Sequence, residues 1–424
     1  MKNSGVIIRE ITEGKYDNIL QETYLDASQI SRQRSRYAQA LKEYETLFGA
    51  GEVAVYSAPG RSEVGGNHTD HQHGRVLATS VNLDAIAVAG YNQENCVKVV
   101  SDGYPMEQVE LTSLEKRTEE EGTSIGLIRG VLKGLSDRGY QIGGCSVYVT
   151  SDVLIGAGLS SSAAFETILG TVISGLFNEM KVSSVEIAMI GQYAENVYFG
   201  KPCGLMDQMA CSVGGLIYID FKEPTQPEVE QVDMGTDPYS LCIVDTKGSH
   251  ADLTEDYAMI PLEMKKVAKA LGKEVLREVD EEEFYKSIPK LRRELGDRSV
   301  LRAMHFFEDN RRVLQQVEAL KKGEFSRFLE LVKESGNSSF KYLQNVYTNK
   351  DVQNQNMSIA LAISEDILKE KGVCRVHGGG FAGTIQAFVR DDFVAEYKEK
   401  LEYVFGEGTC RVLKIRTTGG IQMI

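Results

Sequence analysis

The segment at 153–165, VLIGAGLSSSAAF, constrains the fold of this chain more than any other stretch. Three apolar residues typical of a strand end are followed by Gly156, Gly158 and three serines, and then by a run with helical character. Glycine lets the backbone approach an anion closely, and the free N–H groups at a helix N-terminus point at it. The segment therefore predicts a phosphate site, with an ordinary strand–turn–helix capped by serine as the alternative. It matches neither a Walker loop nor the GxGxxG fingerprint of dinucleotide sites.

The overall composition narrows the class of protein. The chain has 424 residues, of which 42% are hydrophobic and 25% charged, enough for two domains with sizeable cores. A net charge of −14 argues against nucleic acid and anionic membranes as partners. The sequence has no apolar run of the roughly 18 residues that a membrane helix needs. Seven scattered cysteines without a CxxC pair predict reduced thiols in a cytoplasmic protein. The oligomeric state stays open.

A second stretch, GRSEVGGNHTDHQHG at 60–74, is polar and glycine-rich and carries three of the six histidines. It lies between two strand-like runs, and loops between strands are where binding groups usually lie. One interpretation is a metal site with ligands from His68, Asp70, His71 and His73. Another is a site for a polyhydroxylated substrate, with hydrogen bonds from Arg61, Asn67, His68 and Asp70. A solvated polar loop is the third interpretation.

Two carboxylates further along the chain are candidate functional groups. Glu195 lies on a predicted helix at 183–201, and Asp207 follows in a mostly apolar, glycine-flanked segment, PCGLMDQMACSVGG. A carboxylate in such surroundings is paired, caps a helix or takes part in catalysis. The residue pattern alone leaves these three roles open for Asp207.

A segment rich in proline and charge at 222–238 is the best candidate for a domain boundary. The residues after it predict a strand, YSLCIVDT, then a polar loop that holds Tyr257, and mainly helices over 255–345. A second glycine-rich loop, within 374–389, leads into a strand, and the chain closes as β structure. The segment at 222–238 therefore divides the chain into two halves.

Three separated motifs together resemble one family of kinases. PGRSEVGGNHTDHQHG resembles the signature loop of galactokinases, PGRVNLIGEHTDYNGG in its usual form. GAGLSSSAA resembles the phosphate motif of the GHMP kinase superfamily, and RVHGGGFAGTIQAFV resembles its third motif, TGGGFGG. AENVYFGKPCGLMDQ is similar to the galactokinase segment that carries the metal-binding and catalytic carboxylates. The resemblance runs from about residue 35 to the C-terminus.

The resemblance implies an ATP- and Mg²⁺-dependent sugar 1-kinase of the galactokinase type, which phosphorylates the anomeric hydroxyl of galactose or a close relative. It also implies an α+β protein with the two-domain GHMP kinase fold and an active site in the cleft between the domains. Residues 1–228 would form an N-terminal, ribosomal-protein-S5-like α/β domain. Residues 229–424 would form a C-terminal, ferredoxin-like α+β domain.

The resemblance implies roles for individual residues. Asp207 would be the catalytic carboxylate that takes or orients the proton of the sugar hydroxyl, and Arg61 would pair with it and stabilise the transferring phosphoryl group. Ser162 and Glu195 would hold Mg²⁺. The residues contacting the sugar would be Asn67, His68, Asp70, Gly204 and Tyr257. The ATP phosphates would lie against Gly156, Ala157, Gly158, Leu159, Ser160, Ser161 and Ser162.

The sugar motif departs from the family form. The family glutamate before His-Thr-Asp is Asn67 here, which removes a negative charge and adds donors. Repulsion between two carboxylates about 4 Å apart is about 4 kcal/mol at an effective dielectric constant of 20. We therefore hypothesise that a sugar altered at C6, such as galacturonic acid, is an alternative substrate to galactose. The same loop has Ser62-Glu63-Val64-Gly65 in place of Val-Asn-Leu-Ile, and His71 in place of tyrosine.

Three other functions stay open at this point. One is a catalytically silent sugar-binding sensor on the same fold, although the presence of Arg61, Glu195 and Asp207 argues against it. Another is a metal-dependent protein that uses the histidines of 60–74. The third is a kinase for another small alcohol of the superfamily.

Overall fold

Two β-sheets and the helices packed on them make up the protein. The computed structural model describes residues 1–153, 158–235, 237–248, 253–381 and 383–424. In the order of the chain, the strands in these ranges are β1 (Lys2–Asn3), β2 (Glu52–Gly65), β3 (Arg75–Tyr91), β4 (Cys96–Ser101), β5 (Glu107–Glu110), β6 (Cys145–Ser151), β7 (Leu216–Asp220), β8 (Glu228–Val232), β9 (Tyr239–Asp245), β10 (Gly372–His377), β11 (Thr384–Arg390), β12 (Cys410–Leu413) and β13 (Ile421–Gln422). The helices are α1 (Ser4–Thr12), α2 (Asp17–Tyr24), α3 (Ile30–Phe48), α4 (Ser124–Asp137), α5 (Ser161–Asn178), α6 (Ser184–Tyr193), α7 (Met206–Val213), α8 (Thr254–Ala270), α9 (Glu281–Leu295), α10 (Asp297–Lys321), α11 (Phe325–Ser338), α12 (Asn356–Leu368) and α13 (Val394–Phe405).

The first sheet contains nine of the described strands, with β1, β2, β3, β6, β4 and β5 in that order. β3 is long enough to have two partners along one edge: residues 85–91 pair with β6 and residues 75–79 pair with β7. β7 in turn pairs with β8, and β13 pairs with β2. Most of β2 and β3 is buried, as expected for central strands with both faces covered.

The N-terminal helices cover one face of this sheet. Within residues 17–48, α2 is followed by a short 3-10 turn and by α3. The apolar face of α3, with Tyr37, Leu41 and Tyr44, packs in one cluster with sheet residues such as Ile86. α3 ends at Gly49, whose φ of 86° favours glycine. The apolar face of α3 therefore holds this helix against the sheet.

Helices α4 to α7 cover the other face. α5 is apolar almost all round, as expected for a helix buried between a sheet and neighbouring helices. α6 begins with a capping box, in which Ser183 and Glu186 each accept a hydrogen bond from the other's backbone. A π-helical turn, Ala194–Phe199, continues from α6 and carries Glu195. This layer brings the helices that carry Ser162, Glu195 and Asp207 together.

The second sheet is antiparallel, with the strand order β10, β11, β9 and β12. α12 and α13 pack on it, and α8 to α11 form a further helical layer. An apolar cluster containing Leu159, Val313 and Phe388 joins this half to the phosphate segment. The chain passes from the first sheet to the second between β8 and β9, whereas β13 returns to the first sheet. The division at 228/229 stays a prediction.

Two expectations about local structure are corrected. The stretch at 60–74 is not all loop, because β2 continues to Gly65 and pairs with β3 across two register shifts. Tyr257 lies in the first turn of α8, not in a loop. Along the described residues, no helix combines the length and apolar character needed to cross a membrane.

Candidate active site

A polar pocket lies where the end of β2 meets the glycine-rich loop after β10. Its lining comprises Arg61, Glu63, His68, Asp70, His71, Glu195, Lys201, Pro202, Cys203, Gly204, Met206, Asp207, Tyr257, Gly378 and Gly379. These residues are far apart in sequence, and seven of them are site residues predicted from the sequence. We refer to this cavity as the sugar pocket, after the role expected for it.

A bidentate ion pair between Arg61 and Asp207 lies on the wall of the sugar pocket. Arg61 Nε donates to Asp207 Oδ1 at 2.7 Å, and Nη2 donates to Oδ2 at 2.8 Å. Arg61 Nη1 donates to the carbonyl of Gly158, and Ser160 Oγ donates to Asp207 Oδ2. Arg61 is buried, whereas 32% of the Asp207 side chain is exposed. The carboxylate is therefore fixed in position while remaining accessible from the pocket.

The surroundings keep this pair ionised. Burial raises the pKa of Asp207, but the charge of Arg61 and the hydrogen bonds from Arg61 and Ser160 outweigh it and hold the pKa below its usual value. Asp207 lies in the first turn of α7, where the helix dipole also favours a negative charge. Burial lowers the pKa of Arg61, but the charge of Asp207 raises it above its usual value. Near neutral pH, Asp207 is therefore a carboxylate that can accept a proton or a hydrogen bond.

The N-terminus of α5 opens beside this pair. Gly158 and Ser160 both have left-handed backbone conformations, with φ of 70° and 55°, and the helix begins at Ser161. Within the described ranges, no side chain caps α5, because Ser160 donates to Asp207 instead. Leu159 is buried and can offer a ligand only its backbone. The first N–H groups of α5 are therefore available to an anion, as the sequence predicted.

A larger pocket of about 680 Å³ adjoins the same helix N-terminus. Ser161 and Ser162 line it together with the aromatic rings of Tyr104 and Phe165. Its size and its mixed polar and apolar lining suit an organic ligand. The sequence analysis did not identify these aromatic residues. Two further predicted phosphate contacts, Gly156 and Ala157, lie outside the described residues.

Ser162 and Glu195 face each other near the phosphate segment. Ser162 Oγ donates to Glu195 Oε1 at 3.2 Å, and Lys201 Nζ lies 3.1 Å from the same oxygen. A hydroxyl and a carboxylate are hard oxygen ligands of the kind Mg²⁺ prefers. In the described part of the chain, no three His, Cys, Asp or Glu side chains converge as a metal-binding set. The two residues thus fit Mg²⁺ that takes its other ligands from phosphate and water, as is usual for this ion.

Gln208 fixes the second carboxylate oxygen of Glu195, Oε2. Its Nε2 donates to Glu195 Oε2 at 2.8 Å and to Glu166 Oε2 at 3.1 Å, so both amide hydrogens are used. Burial, and then the charge of Glu195, raise the pKa of Glu166 well above its usual value. The Gln208 contact leaves Glu195 Oε1 directed at Ser162 and Lys201.

The opposite wall of the sugar pocket carries His68 and Tyr257. His68 Nε2 donates to the Gly379 carbonyl at 3.1 Å, which leaves Nδ1 as an acceptor. Burial, with a smaller contribution from His71, lowers the pKa of His68 to about 3, so the ring is neutral near pH 7. The ring centroids of His68 and Tyr257 are 5.2 Å apart. This wall therefore combines an aromatic ring with a neutral hydrogen-bonding group.

Asp70 and Gly204 lie together in the same pocket. Asp70 Oδ1 accepts a hydrogen bond from the His71 backbone at 2.9 Å, which fixes the carboxylate. A Cβ atom on Gly204 would overlap Asp70 Oδ2, so only glycine fits there while Asp70 keeps its position. Gly204 thus leaves the space that Asp70 Oδ2 occupies in the lining of the pocket.

Asn67 is placed differently from the sequence-based expectation. Of the residues that the structure describes, Asn67 is not among those lining the sugar pocket, and it is fully buried. Its Nδ2 donates to Glu63 Oε2 at 3.1 Å and to the Gly378 carbonyl at 2.8 Å. Its Oδ1 accepts from Ser339 at 3.1 Å and from Asn345 at 2.9 Å. The structure therefore does not bring the Asn67 amide to the pocket surface, and Glu63 lines the pocket instead.

The histidines of 60–74 do not converge on one point. The rings of His68 and His71 are 5.8 Å apart, but His73 does not line the sugar pocket. The described residues contain no His, Cys, Asp or Glu group of three or more that would hold a metal ion. The geometry thus gives no support to the metal-site interpretation of this stretch.

Three residues of the site were missed by the sequence analysis. Glu63 could have been found from the alternation of side chains along a strand, since it lies two residues after Arg61. Lys201 and Gln208 each lie close in sequence to a predicted site residue, but no local pattern distinguishes them from surface residues. The contact of Gln208 with Glu195 depends on the packing of α6 against α7, whereas Lys201 reaches Glu195 from the segment that follows the π-helical turn.

Comparison with known protein families agrees with this geometry. The model described as GHMP kinases N terminal domain matches residues 126–215, and the model described as galactokinase galactose-binding signature matches residues 42–91. The galactokinase of Thermotoga neapolitana is 31% identical over 371 residues, which cover 87% of this chain and 99% of the relative. The galactokinase of Thermotoga maritima is 30% identical over 383 residues, with coverage of 87% and 99%.

Solved structures give the same picture of the fold. The galactokinase of Lactococcus lactis, crystallised with galactose, matches with a TM-score of 0.77 and 24% identity, covering 90% of this chain and 98% of that one. The mevalonate kinase of Methanococcus jannaschii matches with a TM-score of 0.57 and 16% identity, with coverage of 86% and 99%. The expected two-domain α+β GHMP kinase fold is thereby confirmed.

Proposed function

The chain belongs to the galactokinase family of the GHMP kinases, and on that premise we propose that it transfers the γ-phosphoryl group of ATP to the anomeric hydroxyl of galactose. The observation that carries the proposal is the ionised Arg61–Asp207 pair, held between the sugar pocket and the uncapped N-terminus of α5. A proton acceptor, a cation and an anion site at one point are what phosphoryl transfer to a hydroxyl needs.

In the proposed reaction, Asp207 accepts the proton of the anomeric hydroxyl while the oxygen of that hydroxyl attacks the γ-phosphorus of ATP. ADP then leaves. Arg61 orients the Asp207 carboxylate and offsets negative charge on the transferring group. Positioning and charge neutralisation carry most of the rate in such reactions, so no covalent intermediate with the protein is required.

ATP would bind along the N-terminus of α5. The backbone N–H groups of Gly158 to Ser162 would cradle its phosphates, and the pocket lined by Tyr104 and Phe165 would hold its nucleoside. Ser162 and Glu195 would hold Mg²⁺, which when bound neutralises charge on the phosphate oxygens. Gln208 keeps the Glu195 carboxylate turned toward that position.

Galactose would be held by neutral and acceptor groups of the sugar pocket. The Asp70 carboxylate and His68 Nδ1 would accept hydrogen bonds from sugar hydroxyls, and the Tyr257 ring would pack against the sugar. Gly204 leaves the space that Asp70 occupies.

Two alternatives from the sequence receive less support. Preference for an acidic sugar was argued from Asn67, whose amide is engaged in internal hydrogen bonds with Glu63, Gly378, Ser339 and Asn345. A silent sensor would not need Asp207 and Glu195 fixed as they are beside the phosphate segment. We therefore retain galactose as the proposed substrate.

The test is ADP formation in a coupled assay with galactose, glucose, galacturonic acid and mevalonate, each at saturating Mg²⁺ and ATP. We expect turnover with galactose and an anomeric phosphate product, identified by ³¹P and ¹H NMR. Phosphorylation at another hydroxyl, or turnover with mevalonate alone, would refute the proposal. Tight galactose binding without ADP formation would favour the sensor.

A further inference from the structure

Glu63 is the buried carboxylate of the sugar pocket that the proposed reaction leaves without a role. It is 3% exposed, yet it contributes to the pocket lining together with Arg61 and Asp70. A buried carboxylate is rarely without a specific partner or function. Glu63 therefore calls for an account of its own.

Two fixed partners hold the Glu63 carboxylate. Arg375 Nη2 donates to Oε1 at 2.6 Å, and Asn67 Nδ2 donates to Oε2 at 3.1 Å. Arg375 is itself fixed, since it also donates to the carbonyls of Val64 and Val376. An ionised carboxylate accepts about four hydrogen bonds, so each oxygen of Glu63 keeps acceptor capacity beyond these two contacts.

The position of Glu63 along β2 places it opposite the reacting end of the pocket. Arg61, Ser62 and Glu63 pair regularly with Ser80, Thr79 and Ala78, so the side chains of Arg61 and Glu63 leave the same face of the strand. Two residues of a strand span about 7 Å. Because Asp207 is bonded to Arg61, a hexose with its anomeric hydroxyl at Asp207 would extend its far hydroxyls toward Glu63.

The charges of the pocket favour a neutral ligand. Both cations of its described lining are already paired, Arg61 with Asp207 and Lys201 with Glu195. Arg375, behind the lining, is paired with Glu63. An acidic sugar would meet the carboxylates of Glu63 and Asp70 without an unengaged cation among the described lining residues to offset its charge.

We propose that Glu63 is a substrate-binding and specificity-determining residue, which accepts a hydrogen bond from a sugar hydroxyl remote from the anomeric carbon and thereby selects neutral over acidic hexoses. This proposal rests on the proposed sugar kinase activity. It moves the specificity determinant from Asn67, which the sequence suggested, to the carboxylate that Asn67 holds in place.

The arrangement also gives the exchange of residues in the motif a physical meaning. The motif form quoted above has asparagine at the position of Glu63 and glutamate at the position of Asn67. In this chain the two side chains are hydrogen-bonded to each other. The exchange therefore keeps one carboxylate and one amide in contact, and the net charge of the pair is unchanged.

The test compares wild type with Glu63→Gln, which keeps the side-chain size and removes the charge. We expect KM for galactose to rise about ten- to a hundredfold, with KM for ATP within twofold of wild type. We also expect the ratio of kcat/KM for galacturonic acid to that for galactose to rise at least tenfold. Glu120→Gln is the matched control, because Arg129 binds Glu120 through two hydrogen bonds away from the pocket.

A KM for galactose within twofold of wild type in Glu63→Gln would overturn the proposal. If this variant does not fold, Glu63→Asp serves instead, since it keeps the charge but withdraws it from the pocket. Glu63→Asp should raise KM for galactose and still reject galacturonic acid, and an unchanged KM for galactose would overturn the proposal. Absence of galactose turnover in the wild type would refute the proposed function itself, and calorimetric titration of galactose into wild type and Glu63→Gln would then test Glu63 by binding alone.

Discussion

Replacing Asp207 by asparagine tests the centre of the proposed mechanism. The asparagine side chain has nearly the same shape, but it cannot take a proton at neutral pH. Loss of a positioned general base typically lowers turnover by about 10²- to 10⁴-fold, and we expect kcat for galactose to fall within or beyond that range. ATP affinity should change little, because Asp207 contacts Ser160 through its side-chain hydroxyl, whereas the phosphates are expected to bind the backbone N–H groups of Gly158 to Ser162.

The same substitution has a calculable effect on stability. Asparagine keeps one oxygen that accepts a hydrogen bond from Arg61. Its NH₂ group would face the other guanidinium N–H. In the wild type, the two guanidinium nitrogens lie 2.7 and 2.8 Å from the Asp207 oxygens. Breaking a fully buried ion pair costs about 3–5 kcal/mol. Because 32% of the Asp207 side chain is exposed, solvent screening reduces this to about 1–2 kcal/mol.

The assay is ADP release coupled to NADH oxidation, with ATP affinity from calorimetry and stability from thermal unfolding. Glu120→Gln is the control, since it breaks an equivalent Arg–carboxylate pair with Arg129 at 2.6 and 2.7 Å outside the site. We expect this control to lose stability and keep its kcat. A kcat for Asp207→Asn within tenfold of wild type would refute the role of Asp207 as proton acceptor.

Three further predictions follow from the same geometry. In steady-state kinetics, Gly204→Ala should raise KM for galactose about tenfold or more and leave KM for ATP unchanged. The added Cβ would displace Asp70, whose hydrogen bond to the sugar is worth about 1.5–3 kcal/mol. An equal rise in both KM values would contradict this reasoning. In calorimetric titrations, Ser162→Ala and Glu195→Gln should each reduce the gain in ATP affinity that Mg²⁺ provides. ATP binding without Mg²⁺ should stay as in the wild type. Loss of ATP binding both with and without Mg²⁺ would indicate a collapsed phosphate site instead. Burial lowers the pKa of His68 to about 3, so between about pH 6.5 and 3 the unfolded chain binds a proton that the folded chain does not. His68 therefore contributes a rise in stability with pH of up to about 1.4 kcal/mol per unit across that window. His68→Gln should lower the slope by that amount in urea titrations, and an unchanged slope would contradict a neutral, buried His68.

The local Gly/Ser motif predicted correctly where α5 begins. Gly158, the serines and the helix that follows lie as the Gly/Ser pattern indicates, since a helix N-terminus binds anions through groups of its own segment. The capping box at Ser183 is another feature that a few neighbouring residues determine. Such features depend on contacts across only a few positions, so the sequence carries them directly.

The sugar side was harder to predict. β2 extends to Gly65 with a register shift between Glu63 and Gly65, and His68 has a positive φ of 59°. After an irregularity of this kind, the alternation along a strand no longer tells which side chains face a pocket. The sequence therefore included Asn67 among the expected sugar contacts and missed Glu63, which lines the pocket with His68, Asp70, Gly204 and Tyr257.

The sequence by itself determined the family, and it predicted the kind of reaction and the residues that would handle phosphate, because glycine positions, helix starts and the carboxylates near them act within short segments. Only the tertiary structure decided the chemistry of the sugar pocket. Its contacts join β2 to Arg375 and to the loop after β10, more than 300 residues later in the chain. Which cation and which amide hold Glu63 depends on how the two halves of the protein pack together, and no local pattern encodes those contacts.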